Sequence, residues 1–413
     1  MSGAGIVYMF IKMMDELYFP SEAIYKDYRD LAAIGIIADA MNMTTLGNNF
    51  LAFHGLKNIR NQFIKEVAIK QAHGIKNPNC LTKIDVAFYI APIINGVIRS
   101  GEPEDKMMVF RAMSEEDNHE DFVRTWRGVE YHETIYQCAA RLAANAKGRQ
   151  DANKKKAFEW LCGKIKEEGH DKDNIIIVTL DDVESKKVTP TLTGLIAMEL
   201  VKEFNRPALV LRKTEFEGKQ VYGGSGRNGS FYGLSDLKSF LHKAGVTYGE
   251  GHANAFGAFL TADEVENVRK MANQDLNPET FENVYEVDYI FKNNWDIDDE
   301  MLYQMASYDD LWGNALPQPK FAFTFDFNKT DVLIMGKDKS SIKIKCNGID
   351  FVAFKKAELA QRLMGMVAGT AHVVGRPQLN EWNGNFNIQV MIDDIEIEER
   401  EAIPQTKTLF DLI

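Results

Sequence analysis

The feature that most constrains the fold is a series of short alternating segments towards the carboxyl end of the chain. Residues 321–398 contain seven such segments, separated by turn residues and interrupted by a helical stretch at 355–364: FAFTFDF, DVLIMG, SIKIKC, IDFVAF, AHVVG, FNIQVMI and IEIEE. Alternation of apolar and polar residues indicates strands that bury one face. Several short strands around one helix predict a small Greek-key β-barrel of the OB type over residues 283–413.

The segment before this barrel has a different order of elements. IIIVTL at 175–180 is typical of a short buried strand, residues 193–204 have the spacing of an amphipathic helix, and residues 207–211 form another apolar strand. This β-α-β order predicts an α/β domain with a parallel pair of strands. Two glycine-rich stretches follow, VYGGSGR at 221–227 and YGEGHANAFG at 248–257. The first is predicted to be a strand that runs into a glycine turn, and the second a glycine-rich turn.

The first 170 residues have mainly helical patterns. DLAAIGIIAD at 30–39 is predicted to be a buried segment that ends at a carboxylate, and APIINGVIRSGEP at 91–103 a loop marked by glycine and proline. Residues 106–168 are predicted to be almost wholly helical. The amino-terminal helix is predicted to bury one apolar face, which consists of Ile6, Val7, Phe10, Met13, Met14 and Leu17.

Composition restricts the class of function. The 413 residues carry a formal net charge of −12, which argues against a passive nucleic-acid coat, because DNA binding requires local positive potential. No apolar run approaches the roughly 20 residues of a membrane span, so we expect a cytoplasmic protein with no membrane segment. The four cysteines are far apart and form no C-x-x-C sequence, which favours reduced thiols in the core.

Asp39 is a candidate metal ligand. It ends a buried apolar segment before a turn, where a carboxylate can reach a metal ion at the edge of a sheet. One aspartate is too few for a pair of hydrolytic divalent ions, which needs several oxygen or imidazole ligands. When Asp39 is considered alone, a helix N-cap or turn aspartate is the preferred interpretation.

A candidate phosphate-binding motif is formed by Gly224, Ser225, Gly226 and Arg227. Glycines let backbone N–H groups approach an anion, a serine hydroxyl adds a hydrogen bond, and a guanidinium group matches phosphate oxygens. The alternative interpretation is a tight turn with an incidental arginine. From this motif alone the two interpretations remain equally open.

The second glycine-rich stretch contains His252 next to Gly251. A histidine in such a turn could donate a hydrogen bond to a phosphate or to an attacking water. The alternative is an N-cap histidine or a buried, hydrogen-bonded one. Two such stretches in one α/β domain are more informative together, and we interpret them as two sides of one phosphate-binding site.

Two further candidates lie outside the α/β domain. Asn95 and Arg99, in the predicted loop, are a candidate phosphate clamp at a domain junction, and the alternative is an exposed loop arginine. Trp382 is on a late strand of the predicted barrel together with Phe386, where aromatic side chains can stack on the bases of a single strand. The alternative is a tryptophan that covers an edge of the barrel.

These motifs together resemble the RecJ-type exonucleases of the DHH phosphoesterase superfamily. The resemblance rests on DLAAIGIIADAMNM, APIINGVIRSGEP, TPTLTGLIAMELVKEFNRPALVL, GGSGR, GEGHANAFG and PKFAFTFDF, and it covers nearly the whole chain in the right order. It implies a mixed α/β fold in four parts. These are the remnant of a DHH catalytic domain at 1–75, a helical connector at 76–170, a DHH-associated phosphate-binding domain at 171–282 and an OB-type barrel at 283–413.

The resemblance also implies a function. Members of this family are metal-dependent nucleases, assisted by Mn²⁺ or Mg²⁺, that degrade single-stranded DNA from its 5′ end with water activated by the metals. By position, Asp39 matches a metal-ligating catalytic aspartate, and His252 matches the histidine of a glycine-histidine motif with a catalytic role. Contacts with the substrate are implied for Asn95, Arg99, Gly224, Ser225, Gly226, Arg227, Gly251 and Trp382.

The sequence departs from the family pattern in two ways. No Asp-His-His sequence occurs, and the first three family motifs are absent. The opening MSGAGIVY resembles the helix after the third motif, so we expect a carboxyl-terminal portion that either works with a separate N-terminal DHH polypeptide or is a truncated part of a longer protein. In addition, Asn49 and Ile93 stand where the family often has arginine, which predicts a weaker grip on phosphate.

Three functions remain open from the sequence. The first is a nuclease that a second polypeptide completes, and the second is a non-catalytic single-stranded DNA-binding subunit of a replication or recombination complex. The third is a phosphodiesterase for dinucleotides or short oligonucleotides. The predicted barrel argues against the third, because a dinucleotide does not need such a surface.

The last residues contain one motif outside the family pattern. QTKTLFDL at 405–412 resembles peptides that dock on replication sliding clamps, with Gln405, Leu409 and Phe410 as the contacts. Short motifs of this kind also match by chance. The alternative is a last strand that packs on the barrel.

Overall fold

The structure is a computed structural model that describes residues 1–115, 120–282, 284–382 and 385–400. The chain divides into two compact units, and each is described by itself. The first unit comprises Met1–Arg60, Asn79–Val86 and the described residues from Tyr285 onward, and the second comprises Asn61–Pro78 and Ala87–Val284. None of the helices in these stretches is long and apolar enough to cross a membrane.

The described chain contains runs of helices and runs of strands. The helices are α1 (Gly3–Tyr18), α2 (Arg29–Ala38), α3 (Leu46–Leu56), α4 (Gln62–Lys70), α5 (Lys83–Asp85), α6 (Ala91–Ser100), α7 (Pro103–Met113), α8 (Ile135–Glu167), α9 (Thr193–Phe204), α10 (Leu237–Lys243), α11 (Ala262–Asp275), α12 (Asp299–Ser307) and α13 (Ala357–Gly365). The strands are β1 (Phe122–Trp126), β2 (Val129–Glu133), β3 (Ile176–Leu180), β4 (Ala208–Phe216), β5 (Lys219–Arg227), β6 (Tyr248–His252), β7 (Ala255–Leu260), β8 (Tyr289–Phe291), β9 (Phe321–Asn328), β10 (Val332–Met335), β11 (Ser341–Cys346), β12 (Ile349–Ala353), β13 (Ala368–Trp382) and β14 (Asn385–Arg400).

The first unit begins with the helix that the sequence predicts for residues 1–17, and this helix is confirmed. Ser2 caps α1, because its hydroxyl oxygen accepts a hydrogen bond from the Gly5 N–H at 3.2 Å. Small residues on both helices allow α1 and α2 to pack closely. A Cβ added to Gly35 on α2 would collide with the side chain of Ala4 on α1. The contact side of α1 is therefore its small and polar side.

The prediction for the apolar face of α1 is wrong. Tyr8 is the large apolar residue of α1 that is buried, and its ring meets that of Tyr25 edge-on at 5.8 Å. The residues that were expected to be buried are instead 49–65% exposed, apart from the partly buried Met14: Ile6, Val7, Phe10, Met13 and Leu17. Helical spacing identifies a face, but it does not say whether this chain supplies the surface that covers it.

The buried segment predicted for residues 30–39 is confirmed, and it is the helix α2. Ala33 and Ile36 are fully buried on this helix. α3 packs against it so closely that a Cβ added to Gly55 would lie 2.5 Å from the carbonyl oxygen of Arg29. The small residues of both helices therefore allow their backbones to approach each other.

The strand-rich carboxyl-terminal region is confirmed. Its seven-stranded sheet has the order β10-β11-β12-β14-β13-β9-β8, in which β12 with β14 and β8 with β9 are the parallel pairs. Alternation on β9 is strict, because four phenylalanines at 1–2% exposure point into the core: Phe321, Phe323, Phe325 and Phe327. The helix expected near 355–364 is α13, whose Ala360 and Leu363 join the same core.

The second unit corrects the prediction of a loop at 91–103. Residues 91–100 form α6, and Pro92 is tolerated because the first turn of a helix needs no backbone donor there. Gly96 does not make a turn: a Cβ at this position would lie 2.9 Å from the side chain of Lys147 on α8. The glycine therefore allows α6 to pack closely on the 33-residue α8.

The prediction of almost continuous helix over residues 106–168 is also wrong in part. α7 and α8 are helical, but β1 and β2 form an antiparallel hairpin between them. Arg127 and Gly128 form its turn, with φ angles of +51° and +79°. Positive φ at both central residues is the geometry of a type I′ hairpin turn. A single glycine among charged residues was too weak a signal to reveal it.

The α/β prediction for the rest of the second unit is confirmed. Its five-stranded sheet has the order β3-β4-β5-β7-β6, with β3 and β4 parallel and the other pairs antiparallel. α9 connects β3 to β4 and packs on β4 and β5. Because β5 is a central strand with partners on both sides, its end and the first turn of α9 have fixed positions.

Candidate phosphate-binding site

Three elements of the second unit carry two arginines and two hydroxyl groups. Arg227 is the last residue of β5 and Ser225 lies two residues before it, while Thr193 begins α9 and Arg99 lies near the end of α6. Thr193 Oγ1 and Ser225 Oγ are 2.9 Å apart. Because the Thr193 hydroxyl donates to the carbonyl oxygen of Pro190 at 3.0 Å, the Ser225 hydroxyl donates to Thr193 and is oriented by it.

The first turn of α9 lies directly against the guanidinium group of Arg227. A Cβ added to Gly194 would be 2.5 Å from Arg227 Nη2 and 3.3 Å from Ser225 Oγ, so only glycine leaves this space free. The N–H groups at a helix N-terminus carry partial positive charge that favours an anion. Sequence reasoning missed Thr193 and Gly194, although the stretch TPTLTG before an apolar helix is a recognisable start signal.

Arg99 and Arg227 form a pair of like charges. Partial burial and then the nearby positive charge of Arg99 lower the pKa of Arg227, although an arginine remains protonated at physiological pH. Arg227 Nη1 donates to the carbonyl oxygen of Gly226 at 2.7 Å. Within the described ranges, no carboxylate pairs with either guanidinium group. A bound anion such as a phosphate would offset the repulsion within this pair and could accept bidentate hydrogen bonds.

Asn95 and Arg99 are brought to the same side of α6. They are four residues apart on a helix and both are exposed, so their side chains lie on one face. The sequence predicted these residues as a clamp on a loop. The structure gives them a rigid helix instead, and Asn95 is presented next to the arginine. Substrate binding by Asn95 stays a prediction.

His252 and Gly251 are at the same end of the five-stranded sheet as Arg227. Arg227 pairs with Ala255 on β7, and Ala255 pairs with His252 on β6. Directly paired residues of antiparallel strands share a face, so Arg227 and exposed His252 lie on one face about 10 Å apart, two strand spacings. Gly251 has a φ of +126°, which only glycine adopts readily. A catalytic role for His252 stays a prediction.

The backbone of the GGSGR motif does not form the predicted turn. It lies in β5, which pairs with β4 on one side and β7 on the other, so its N–H groups belong to the sheet. Gly224 is required by the close carbonyl group of Val210, and a Cβ at Gly226 would lie 2.6 Å from the ring of Phe256. The prediction that free backbone N–H groups of these glycines hold an anion is therefore wrong. The side chains of Ser225 and Arg227 remain the candidate anion-binding groups of this motif.

Asp39 belongs to the first unit. It follows the last turn of α2, where its N–H donates to the carbonyl oxygen of Gly35 at 3.1 Å, and it is exposed. The expected position at the edge of a sheet is wrong, because the buried segment before it is a helix. Across the ranges that the structure describes, no three His, Cys, Asp or Glu side chains form a group that could hold a metal ion. The residues present do not by themselves fit a catalytic metal.

The remaining predicted sites lie on or beyond the barrel sheet. Trp382 is the last residue of β13 and pairs with Asn385 of β14. Phe386 beside it is 59% exposed, and Trp295, which sequence reasoning missed, is 93% exposed. Gln405, Leu409 and Phe410 lie outside the described residues.

Comparisons with known proteins agree with this architecture. The OB domain of RecJ is the family model that matches, over residues 295–394. The chain is 27% identical over 405 residues to YorK, a putative SPbeta prophage-derived single-strand DNA-specific exonuclease of Bacillus subtilis. The matched region covers 96% of this chain and 68% of YorK. It is 28% identical over 388 residues to the single-stranded-DNA-specific exonuclease RecJ of the same organism. These similarities support a RecJ-type protein.

A solved structure shows the same fold. RecJ from Thermus thermophilus, crystallised in complex with Mn²⁺, superposes with a TM-score of 0.65 at 19% identity over 97% of the RecJ-type chain. A second structure of that protein contains Mg²⁺ and has a TM-score of 0.64. The RecJ-type chain spans 54% of the first Thermus chain and 44% of Bacillus subtilis RecJ. The mixed α/β fold with an OB domain is therefore confirmed, and the chain corresponds to part of these relatives.

Proposed function

We propose that this RecJ-type chain is the DNA-binding part of a metal-dependent exonuclease that degrades single-stranded DNA from the 5′ end. The observation that carries the proposal is the uncompensated pair of Arg99 and Arg227 beside Ser225 and the first turn of α9. A phosphodiester of the DNA backbone has the charge and the acceptor oxygens that this arrangement can bind. The names of the relatives, which are single-strand-specific exonucleases, support this choice of ligand.

The residues of the chain have defined tasks in this proposal. The guanidinium groups of Arg99 and Arg227 bind a phosphate, and the Ser225 hydroxyl would turn its hydrogen from Thr193 to a phosphate oxygen. The arginine donors hold the scissile phosphodiester in one orientation. His252 lies about 10 Å away on the same face of the sheet, which is within reach of the neighbouring phosphate.

Hydrolysis is assigned to a complex rather than to this chain alone. Bound Mn²⁺ or Mg²⁺ would supply an activated water, but the described residues offer no group of ligands for such an ion. We propose that Asp39 contributes one ligand and that a polypeptide with the missing DHH motifs contributes the others. The chain spans 68% of YorK and 54% of the Thermus chain, so part of these relatives has no counterpart in it.

The exposed apolar face of α1 is the proposed docking surface for that polypeptide. Ile6, Phe10 and Leu17 are each more than half exposed on it, whereas the opposite side packs on α2. Contiguous apolar surface of this kind is typical of a protein interface rather than of a solvated helix. The proposal commits to the DHH polypeptide, and a second copy of this chain is the other outcome that a test would detect.

A non-catalytic single-stranded DNA-binding subunit is the alternative function. The absence of a metal-ligand group from the described residues favours it, because DNA binding needs only the arginines and the barrel surface. Docking on a sliding clamp through Gln405, Leu409 and Phe410 is a separate proposal from the sequence. Loss of clamp pull-down in a Leu409→Ala/Phe410→Ala variant would support it, and no pull-down by the intact chain would end it.

Degradation of end-labelled single-stranded DNA tests the main proposal. Oligonucleotides labelled at the 5′ or the 3′ end are incubated with Mn²⁺ and with the chain alone, with the chain plus the DHH polypeptide, or with that mixture carrying Asp39→Ala. We expect degradation only in the intact mixture, with the 5′ label released first. Asp275→Ala is the matched control, because Asp275 is also an exposed aspartate at the end of a helix. DNA binding without degradation in every mixture would establish the binding subunit instead.

A further inference from the structure

The hairpin of β1 and β2 is an isolated two-stranded sheet in the second unit. No third described strand pairs with it, and its apolar side chains are largely exposed: Val123 at 53%, Trp126 at 57%, Val129 at 53% and Tyr131 at 40%. A hairpin of this size is marginally stable alone in water. It therefore requires an anchor at its base, and its exposed tip requires an explanation.

The anchor is an ionic cluster at the start of α8. Glu133 is buried at the end of β2, and its carboxylate accepts hydrogen bonds from Arg124 Nε at 2.9 Å and from Arg141 Nε at 2.8 Å. Burial would raise the pKa of Glu133, but the hydrogen bonds from Arg141 and Arg124 lower it below its ordinary value. The base of the hairpin is thus fixed to α8, and the tip projects from a rigid support.

The tip has an arginine where the backbone favours other residues. Arg127 has a φ of +51° at the first central position of the turn, where asparagine, aspartate or glycine is usual. Its guanidinium carbon lies 5.7 Å from the centre of the Trp126 ring. A strained residue type at an exposed tip is consistent with a binding role, because stability alone would favour asparagine.

The acidic residues of the hairpin have ionic partners, whereas Arg127 at the tip has none among the described residues. Each acidic residue has a basic or histidine partner: Glu120 with Arg111, Asp121 and Glu130 with His132, and Glu133 with Arg124 and Arg141. Arg127 is the charged residue of the hairpin that has no ionic partner in the described part of the chain. The tip therefore presents one free positive charge beside an exposed indole ring.

We infer that the Trp126–Arg127 tip is a second contact for single-stranded DNA, with the indole stacking on a base and the guanidinium binding a backbone phosphate. Exposed aromatic rings with neighbouring cations bind single strands regardless of sequence. The unpaired positive charge of Arg127 favours binding to DNA over binding to an apolar protein surface. β2 leads into α8, and α8 contacts Gly96 of α6 at Lys147, about 20 Å along the helix axis from Thr134. A strand of several nucleotides spans that distance.

This inference rests on the proposed function, and a binding assay separates the two. Fluorescence anisotropy of a labelled oligo(dT) is measured with the full chain in EDTA, so that hydrolysis does not contribute. We expect Trp126→Ala to weaken binding about 5- to 100-fold and Trp126→Phe to keep most of the affinity. Arg127→Gly fits the positive φ and should also weaken binding without loss of thermal stability. Lys270→Gln, an equal loss of charge on exposed α11, is the control.

The outcomes are distinct. If the wild-type chain binds oligo(dT) and the three tip variants bind equally well, the hairpin does not contact DNA and the proposed function stands. If the wild-type chain binds no single-stranded DNA, both the proposed function and this inference are overturned. Weaker binding by Trp126→Ala and Arg127→Gly, with Trp126→Phe and Lys270→Gln close to wild type, supports the contact.

Discussion

At the residue scale, Gly194 determines how closely Arg227 approaches the first turn of α9. A Cβ at this position would lie 2.5 Å from Arg227 Nη2, which is the far end of a flexible side chain. We therefore expect Gly194→Ala to keep the fold and to displace the guanidinium group. Since charge-assisted hydrogen bonds contribute about 1.5–3 kcal/mol, affinity for oligo(dT) should fall roughly tenfold. Anisotropy titration measures this change.

Gly148→Ala is the matched control for this prediction. Gly148 is also on a helix, and a Cβ added to it would meet nothing within 4 Å. The substitution should stabilise α8 by up to about 1 kcal/mol and leave DNA affinity unchanged. Equal affinities of the two variants would mean that Arg227 does not bind DNA in its present position.

Single residues also show where the family pattern could mislead. Asn49 stands where the resemblance expects arginine, and its amide donates to the carbonyl oxygens of Met43 and Leu311 at 3.2 and 3.3 Å. Ile93 is only 7% exposed on α6. Asn49 forms hydrogen bonds within the fold and Ile93 is buried, so a sequence comparison could identify the missing arginines but not what these residues contact instead.

At the scale of elements, local sequence patterns predicted which segments are strands or helices better than they predicted what those segments pack against. β9 was predictable because its four buried phenylalanines alternate without exception. α6 was predicted as a loop because proline and glycine usually mark turns, yet here Pro92 is in the first turn and Gly96 makes room for Lys147. The reason for a glycine lies in the neighbouring helix, which a local pattern does not contain.

The exposed face of α1 gives a prediction about assembly. Phe10→Asp replaces a ring that is 57% exposed, so the free energy of unfolding of the chain should change by no more than about 0.5 kcal/mol. Binding to the DHH polypeptide should weaken at least tenfold, because a buried unpaired carboxylate would be introduced at the interface. Isothermal titration calorimetry of the two purified polypeptides measures this effect.

Ile69→Asp provides the control for α1. Ile69 is 52% exposed near the end of α4, so it carries the same type of change at another helix. It should not affect binding of the DHH polypeptide. If Phe10→Asp and wild type bind that polypeptide equally, α1 is not its docking surface. A shift of the chain alone from dimer to monomer in Phe10→Asp would identify a second copy as the occupant.

At the scale of the whole molecule, the element order of two regions was predictable, whereas contacts between distant residues of the candidate site were not. Periodicity is local, so the α/β region and the strand-rich end could be read from the sequence. Thr193 and Ser225 are 32 residues apart and meet only because β5 is central in its sheet beside α9. The Arg99–Arg227 pair depends on folding in the same way, and no local motif contains it.

The net charge of the chain leads to the last prediction. A protein with a net charge of −12 repels DNA overall, but charges beyond about 8 Å are screened at physiological salt, so nearby arginines dominate binding. Each phosphate contact with single-stranded DNA contributes about 0.7 to the slope of log K against log salt concentration. Because both arginines bind one phosphate, Arg99→Ala/Arg227→Ala should reduce this slope by about 0.7 between roughly 50 and 300 mM KCl, whereas Lys270→Gln should leave it unchanged. An unchanged slope in the double variant would place the DNA backbone elsewhere on the chain.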